Sequence, residues 1–303
     1  MRTVAKKNKA QSVNSTLIRG PIQRKFYIFL LPTFLAFCIG FLYPFIQGIY
    51  LSFCRFTTTS DAVPVGLSNY AAAVSDGGFR HAFSFTVLVT VACLVIINVF
   101  AFAVAYALTR NIPGRTVFRG VFFMPNLIGG IVLAYIWKMI FASVMPRDIH
   151  LDTTLGYWAL IILLSWQQIG YMMIIYIAGL QAVSGDMLEA AKIDGANGWQ
   201  SLLHITIPSV MPSITICTFL TLTNSFKLFD QNMALNGGDP IVRMAGTKIK
   251  TTEMLALNIY NTFYGASTTA RGVGQAKAVL FFILVAVIAL AQLRLTRDKE
   301  VQR

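Results

Sequence analysis

Long uncharged runs alternate with short polar stretches along the chain, and their lengths set the reading. Crossing the hydrocarbon of a bilayer takes about 20 apolar residues. Six segments reach that length, at about 26–54, 81–109, 120–141, 158–183, 207–235 and 273–293. The first is too long for the apolar core of a signal peptide and has no small-residue cleavage site beside it, which predicts a retained helix. The third carries one late charge, Lys138, where a long stem can reach the interface. The pattern predicts an all-α membrane protein: a basic tail over 1–25, a six-transmembrane-helix bundle over 26–295, and a short tail over 296–303.

Composition agrees with lipid as the main solvent. Of 303 residues, 56% are hydrophobic and 12% charged, against roughly a quarter charged in soluble domains. The net charge of +13 does not point to nucleic acid, because the basic residues flank the apolar runs and so encode orientation. Arg2, Lys6, Lys7, Lys9, Arg19, Arg24 and Lys25 precede the first span. Arg110, Arg115 and Arg119 lie between the second and third, and Arg294, Arg297, Lys299 and Arg303 follow the sixth. Six spans put all three clusters on one side, which predicts cytoplasmic N- and C-termini.

One connection breaks this charge rule. The segment 184–206 falls on the same side but holds Asp186, Glu189 and Asp194 against a single Lys192. It parses as two short helices. Asp186 and Glu189 have the spacing of a capping box, Gly195 is placed to end the first helix, and Asn197 with Gln200 can cap the second. Ala190 and Ala191 give the first helix a low profile, while Glu189 adds one fixed polar contact. Taken alone, these residues fit a helix that docks in a partner's groove or one that merely joins two spans.

The longer pattern is more specific. Glu189-Ala190-Ala191, three residues, Gly195, nine residues, then Ile205-Thr206-Ile207-Pro208 resembles the loop of binding-protein-dependent ABC importer permeases, with Ile207 where that family usually has Leu. The resemblance implies a type I importer permease bundle in the bacterial cytoplasmic membrane. It makes Glu189, Ala190, Ala191, Asp194 and Gly195 the coupling site for an ATPase subunit dimer. The sequence holds no G-x-x-x-x-G-K-[ST] loop, so no cofactor is expected here, and ATP and Mg would be bound by that partner. Further motifs resemble the carbohydrate permeases of the maltose and glycerol-3-phosphate type: Gly66-Leu-Ser-Asn69-Tyr70 with Phe79, Arg119 with Phe122-Phe-Met-Pro125 and Trp137, Phe226-Lys227-Leu-Phe229-Asp230, and Asn236-Gly237-Gly238-Asp239-Pro240. They imply the first-permease type, paired with a second permease subunit and fed by an extracytoplasmic solute-binding protein. Extra N-terminal helices and a large external domain like those of the enterobacterial maltose permease are missing. Binding-protein contacts are therefore expected from loops 55–80 and 236–271.

Polar residues inside spans are the candidates for a solute pathway. Gln167, Gln168 and Tyr171 share a face of the fourth span, and Thr223, Asn224 and Lys227 a face of the fifth, with Asp230 one turn on. Amides, a hydroxyl and a phenol suit sugar hydroxyls. The same residues also fit interhelical hydrogen bonding, and Lys227 with Asp230 fits a self-neutralising pair. A permease for glycerol-3-phosphate or an acidic sugar is an alternative, and a secondary transporter a more distant one. Cys38, Cys54, Cys93 and Cys217 have no paired spacing, and His81, His150 and His204 no ligand spacing. Disulfide, metal and catalytic sites are not expected.

Overall fold

The computed structural model describes residues 26–297 apart from 146, 245 and 266–269. The basic tail expected over 1–25 and most of the tail expected over 296–303 fall outside them. The chain divides into two compact units, residues 1–50 and 51–303, described separately below.

In the first unit α1 (Phe26–Phe37) runs through a π turn (Cys38–Leu42) into α2 (Tyr43–Ser52). A proline cannot donate to the preceding turn. The helix widens just before Pro44, and the Tyr43 N–H reaches back to the Cys38 carbonyl. The same device recurs at Leu202–Thr206, two residues before Pro208.

The second unit opens with a small antiparallel pair, β1 (Cys54–Arg55) and β2 (Val63–Pro64), and α3 (Ser68–Ser75). Then come the long helix α4 (Gly77–Leu108), α5 (Arg115–Phe123), α6 (Gly130–Val144) and α7 (Thr153–Gln181). Next are α8 (Gly185–Ile193), α9 (Gly198–Ser201), α10 (Ile207–Ser209) and α11 (Met211–Phe226). The remainder is α12 (Asp230–Leu235), the hairpin β3 (Ile241–Met244) and β4 (Thr247–Lys250), α13 (Leu255–Phe263) and α14 (Arg271–Arg297).

Among the described residues four helices are long and apolar enough to cross a membrane, and up to six if two bent pairs each count as one span. The bends correct the expected spans. The third, expected over about 120–141, is split: Arg115–Leu127 meets Gly130–Val144 at 101°. Pro125 removes a helical hydrogen bond, the chain tightens into a 3-10 turn, and Ile128 and Gly129 are extended. The fifth, expected over 207–235, turns by 69° at Val210, between Pro208 and Pro212, and its helix stops at Phe226. Asp230 therefore opens α12 and does not continue the Asn224–Lys227 face.

Packing centres on α4 and α7. Val89, Cys93, Ile97, Ala101 and Ala105 recur every fourth residue on α4 and are fully buried against Leu160, Leu163, Leu164 and Met172 of α7. Small residues let helices approach closely, the main source of attraction where lipid removes the hydrophobic drive. Gly170 is the extreme case: a Cβ there would lie 1.8 Å from the Phe122 carbonyl oxygen. The broken third span thus rests its backbone directly on α7. Arg119 donates to the Leu108 carbonyl at 3.1 Å, placing a cation at the C-terminus of α4.

Two motifs noted in the sequence build the loops. Asn69 donates to the carbonyls of Ser52 and Cys54, each at 2.9 Å, and so fastens α3 to β1. The Asn236-Gly237-Gly238-Asp239-Pro240 turn is locked by Asn232 and Asn236, which share hydrogen bonds with Thr252 and with the backbone N–H groups of Gly238 and Met254.

Candidate functional site

Two regions collect polar chemistry. The first is a cavity of about 420 Å³ where the break in the third span and the segment joining α11 to α12 meet α7. Asn126, Gln167, Gln168, Asn224, Lys227, Leu228, Phe229, Asp230 and Gln231 line it. Gln231 donates to Gln167 at 2.9 Å, and Gln167 donates to the Ile128 carbonyl at 3.3 Å. That carbonyl lies at the turn made by Pro125, so one amide both holds the break open and faces the cavity. Gly130 leaves the room this needs, since a Cβ there would fall 2.8 Å from the Gln231 amide nitrogen. The buried Gln168 Oε1 has no hydrogen-bond partner, a costly state unless something enters the cavity to donate to it. Asn224, Lys227 and Asp230 are exposed at its rim. Among the described residues the ion pairs are His150–Asp148 and Lys277–Asp76; Lys227 and Asp230 do not form one.

Four of the six pathway candidates, Gln167, Gln168, Asn224 and Lys227, are therefore brought together. Thr223 and Tyr171 are not among the lining residues. Thr223 is buried and returns its hydroxyl to the Phe219 and Leu220 carbonyls of its own helix, while Tyr171 packs against the apolar core. Sequence reasoning missed Asn126 and Gln231 as lining groups. Asn126 had a usable signal, a polar residue beside a proline within an apolar run.

The second region is the loop over 184–206. α8 starts after Ser184, whose side chain makes no cap bond, and Asp186 sits within the first turn. The expected Asp186–Glu189 capping box is thus replaced by an acid placed against the helix dipole. The helix stop is as expected: Gly195 takes φ +83°, its N–H bonds the Lys192 carbonyl, and the Ala196 N–H bonds the Ala191 carbonyl. Asn197 and Gln200 form a reciprocal capping box, both bonds at 2.8 Å. Ala191 is buried, whereas Glu189, Ala190, Asp194 and the large apolar Ile193 and Trp199 are exposed. The loop thus holds a rigid, doubly capped helix pair with small, acidic and apolar groups turned outward.

The chain is similar to known proteins over most of its length. Residues 97–300 match the family described as "Binding-protein-dependent transport system inner membrane component". "Probable starch degradation products transport system permease protein AmyD" of Thermoanaerobacterium thermosulfurigenes is 42% identical over 91% of this chain and 95% of its own. "Multiple sugar-binding transport system permease protein MsmF" of Streptococcus mutans is 31% identical over 91% and 96%. A solved bacterial ABC transporter chain involved in import of the acidic polysaccharide alginate shares the fold, with a TM-score of 0.74 over 91% of this chain and 97% of that one, at 19% identity. The chain belongs to the family of inner membrane components of binding-protein-dependent transport systems, and is a multi-pass membrane permease.

Proposed function

We propose that this permease forms half of the translocation pathway of an ATP-driven importer for malto-oligosaccharides or similar neutral sugars. In this reading six spans cross the bacterial cytoplasmic membrane with both termini inside. A second permease completes the pathway, an extracytoplasmic binding protein delivers the sugar, and an ATPase dimer supplies ATP and Mg chemistry. The observation that carries the reading is the polar cavity. Its amides from Asn126, Gln167, Gln168, Asn224 and Gln231 offer donors and acceptors together, as sugar hydroxyls require. AmyD and MsmF, named for starch products and multiple sugars, support the substrate class.

The motor would act through Glu189, Ala190, Ala191, Asp194 and Gly195. Exposure of α8, its closed C-terminal end at Gly195 and the capping box of the helix that follows suit a helix pair that transmits push and pull. An acidic solute is the second reading, favoured by the unpaired Lys227 at the cavity rim and by relatives named for glycerol-3-phosphate transport. Asp230 at the same rim offsets that charge.

The test is a complex reconstituted with partner permease, ATPase and binding protein. Maltotriose is expected to stimulate ATP hydrolysis and uptake, glycerol-3-phosphate neither. Gly195→Asp is expected to lower both by about tenfold or more, with the permease pair still copurifying. Normal ATPase recruitment and uptake in that variant would remove the coupling role. Stimulation by glycerol-3-phosphate alone would replace the sugar.

A further inference from the structure

Beside the polar cavity lies a second recess that the pathway residues above do not use. It has a volume of about 400 Å³ and is walled by Phe229, Ile259, Tyr260, Phe263 and Tyr264 on one side and by Gly274, Gln275 and Ala278 of α14 on the other. Phe229 lines both cavities. From it the rings continue without a gap: Phe229 to Tyr260 at 5.0 Å between centroids, then Tyr260 to Tyr264 at 4.7 Å, with Phe263 4.9 Å from Tyr264. Tyr260 is 41% exposed and Tyr264 66%.

The platform is held rigidly from behind. On α13 the residues facing the protein are Leu255, Leu257 and Asn258, all buried. Asn258 donates to Glu253 at 2.7 Å and accepts from the buried Lys277 ammonium at 2.9 Å, and Lys277 also donates to Thr262 at 2.7 Å. α14 lets the end of α13 approach closely because Gly274 has no side chain, a Cβ there lying 3.0 Å from the backbone N and Cα and from the Cβ of Phe263. Successive rings are tilted by 54° and 43°, and the exposed parts of Tyr260 and Tyr264, with their hydroxyl tips and the Gln275 amide beside them, are chemically suited to the C–H faces and edge hydroxyls of pyranose rings.

We infer that the Phe229–Tyr260–Tyr264 row is a sugar-stacking track, which receives further rings of an oligosaccharide whose leading residue occupies the polar cavity. The inference rests on the carbohydrate reading of that cavity. It binds chain length to the aromatic row and hydroxyl recognition to the amides. A short sugar needs only the cavity, whereas a long one uses both.

The experiment compares maltose with maltotetraose in proteoliposomes carrying the full complex. Tyr260→Ala with Tyr264→Ala is expected to lower kcat/KM for maltotetraose about tenfold, and for maltose less than about twofold. Tyr260→Phe with Tyr264→Phe keeps the faces and should transport both sugars as the parent does. Gln168→Leu should reduce both sugars alike. Equal losses for the two sugars in the alanine variant, or none, overturn the track while Gln168→Leu still reports on the cavity. Loss of the partner permease from the purified alanine variant also overturns it, by making the row a subunit contact. A parent complex that moves neither sugar overturns the carbohydrate reading and the track with it.

Discussion

Removing one member of the buried Asp76–Lys277 pair should cost far more from one side than from the other. Lys277 is 1% exposed, and its ammonium donates to Asp76 at 2.5 Å, to Thr262 at 2.7 Å and to Asn258 at 2.9 Å, with the Phe79 ring 5.3 Å away. Asp76 is a third exposed and also caps α4 through the Gly78 N–H. Asp76→Asn therefore leaves a cation in the interior without its direct ion-pair partner, Glu253 reaching it only through Asn258, a loss of about 3–5 kcal/mol for buried pairs. Lys277→Met leaves a carboxylate that water can still reach and two neutral oxygens that can find water or each other, so it should cost about half as much. The double variant should recover most of the Asp76→Asn loss, because neither charge remains. Thermal unfolding of the purified complex is the assay. At about 2–4 °C per kcal/mol for chains near this size, Asp76→Asn should lower Tm by about 6 °C or more. Lys277→Met costing as much as Asp76→Asn, or a double variant no better than the worse single one, would refute the argument that burial of the lysine sets the cost.

Gly170→Ala would drive a methyl into the Phe122 carbonyl oxygen, and a backbone contact cannot yield as a side chain can. It should lose about 3 kcal/mol or more, read as failed accumulation in the membrane, whereas Gly129→Ala, with open space around it, should be tolerated. A second prediction concerns acid. Burial pulls the Asp76 carboxyl up, but the hydrogen bond and charge of Lys277 with the Gly78 and Phe79 N–H groups outweigh it, and the folded pKa lies below the ordinary 3.8. The Thr58 and Thr57 N–H groups hold Asp61 down, and the His150 backbone and ring hold Asp148 down. A depressed carboxyl contributes stability above its unfolded pKa and loses it as pH falls through the folded one. The contribution of these groups to Tm should therefore be present in full and constant between pH 7 and about 5 and be lost below about 4; no acid decline would show that they are not ionised partners.

Spans were legible in the sequence because a bilayer demands length and low charge, which composition reveals directly. Breaks were less legible. A proline such as Pro125 or Pro208 can break a helix, but the size of each turn is fixed by what packs against it, as Gly170 does against Phe122. The caps of the 184–206 loop were readable because capping is local: Asn197, Gln200 and Gly195 act within a few residues of themselves. Lys277 gave no such sign. A lone lysine near the start of an apolar run looks like an interface residue, and only tertiary structure brings Asp76, 201 positions away in sequence, to its ammonium. Tyr171 failed as a lining residue for a related reason. Face sharing on one helix decides direction, but whether that direction meets a cavity or a neighbour depends on the other helices.

A single short helix joins the two candidate regions, and this has a consequence that can be measured. α11 begins at the 69° bend that follows the 184–206 loop and ends at Phe226, with Asn224 and Lys227 on the cavity rim, so its sixteen residues span about 24 Å. Its side-chain ties to its neighbours include Cys217 Sγ donating to the Met172 carbonyl, Asn98 of α4 donating to Thr221 at 3.3 Å, and Gln292 of α14 donating to Thr218 at 3.0 Å and to the Thr215 carbonyl at 3.4 Å. At its start it nests against Gly179 of α7, where a Cβ would lie 2.2 Å from Ser213 Oγ and 2.9 Å from Ser213 Cβ. On the proposed function a push on α8 reaches the cavity by moving α11 past α7 at that contact. Gly179→Ala should then cost about 1–3 kcal/mol of overpacking and cut sugar-stimulated ATP hydrolysis more than basal hydrolysis. Ser213→Gly in the same chain removes the atoms that collide, and should restore both. If Gly179→Ala leaves stimulation intact, or if Ser213→Gly restores stability without restoring stimulation, α11 does not carry the signal through this contact.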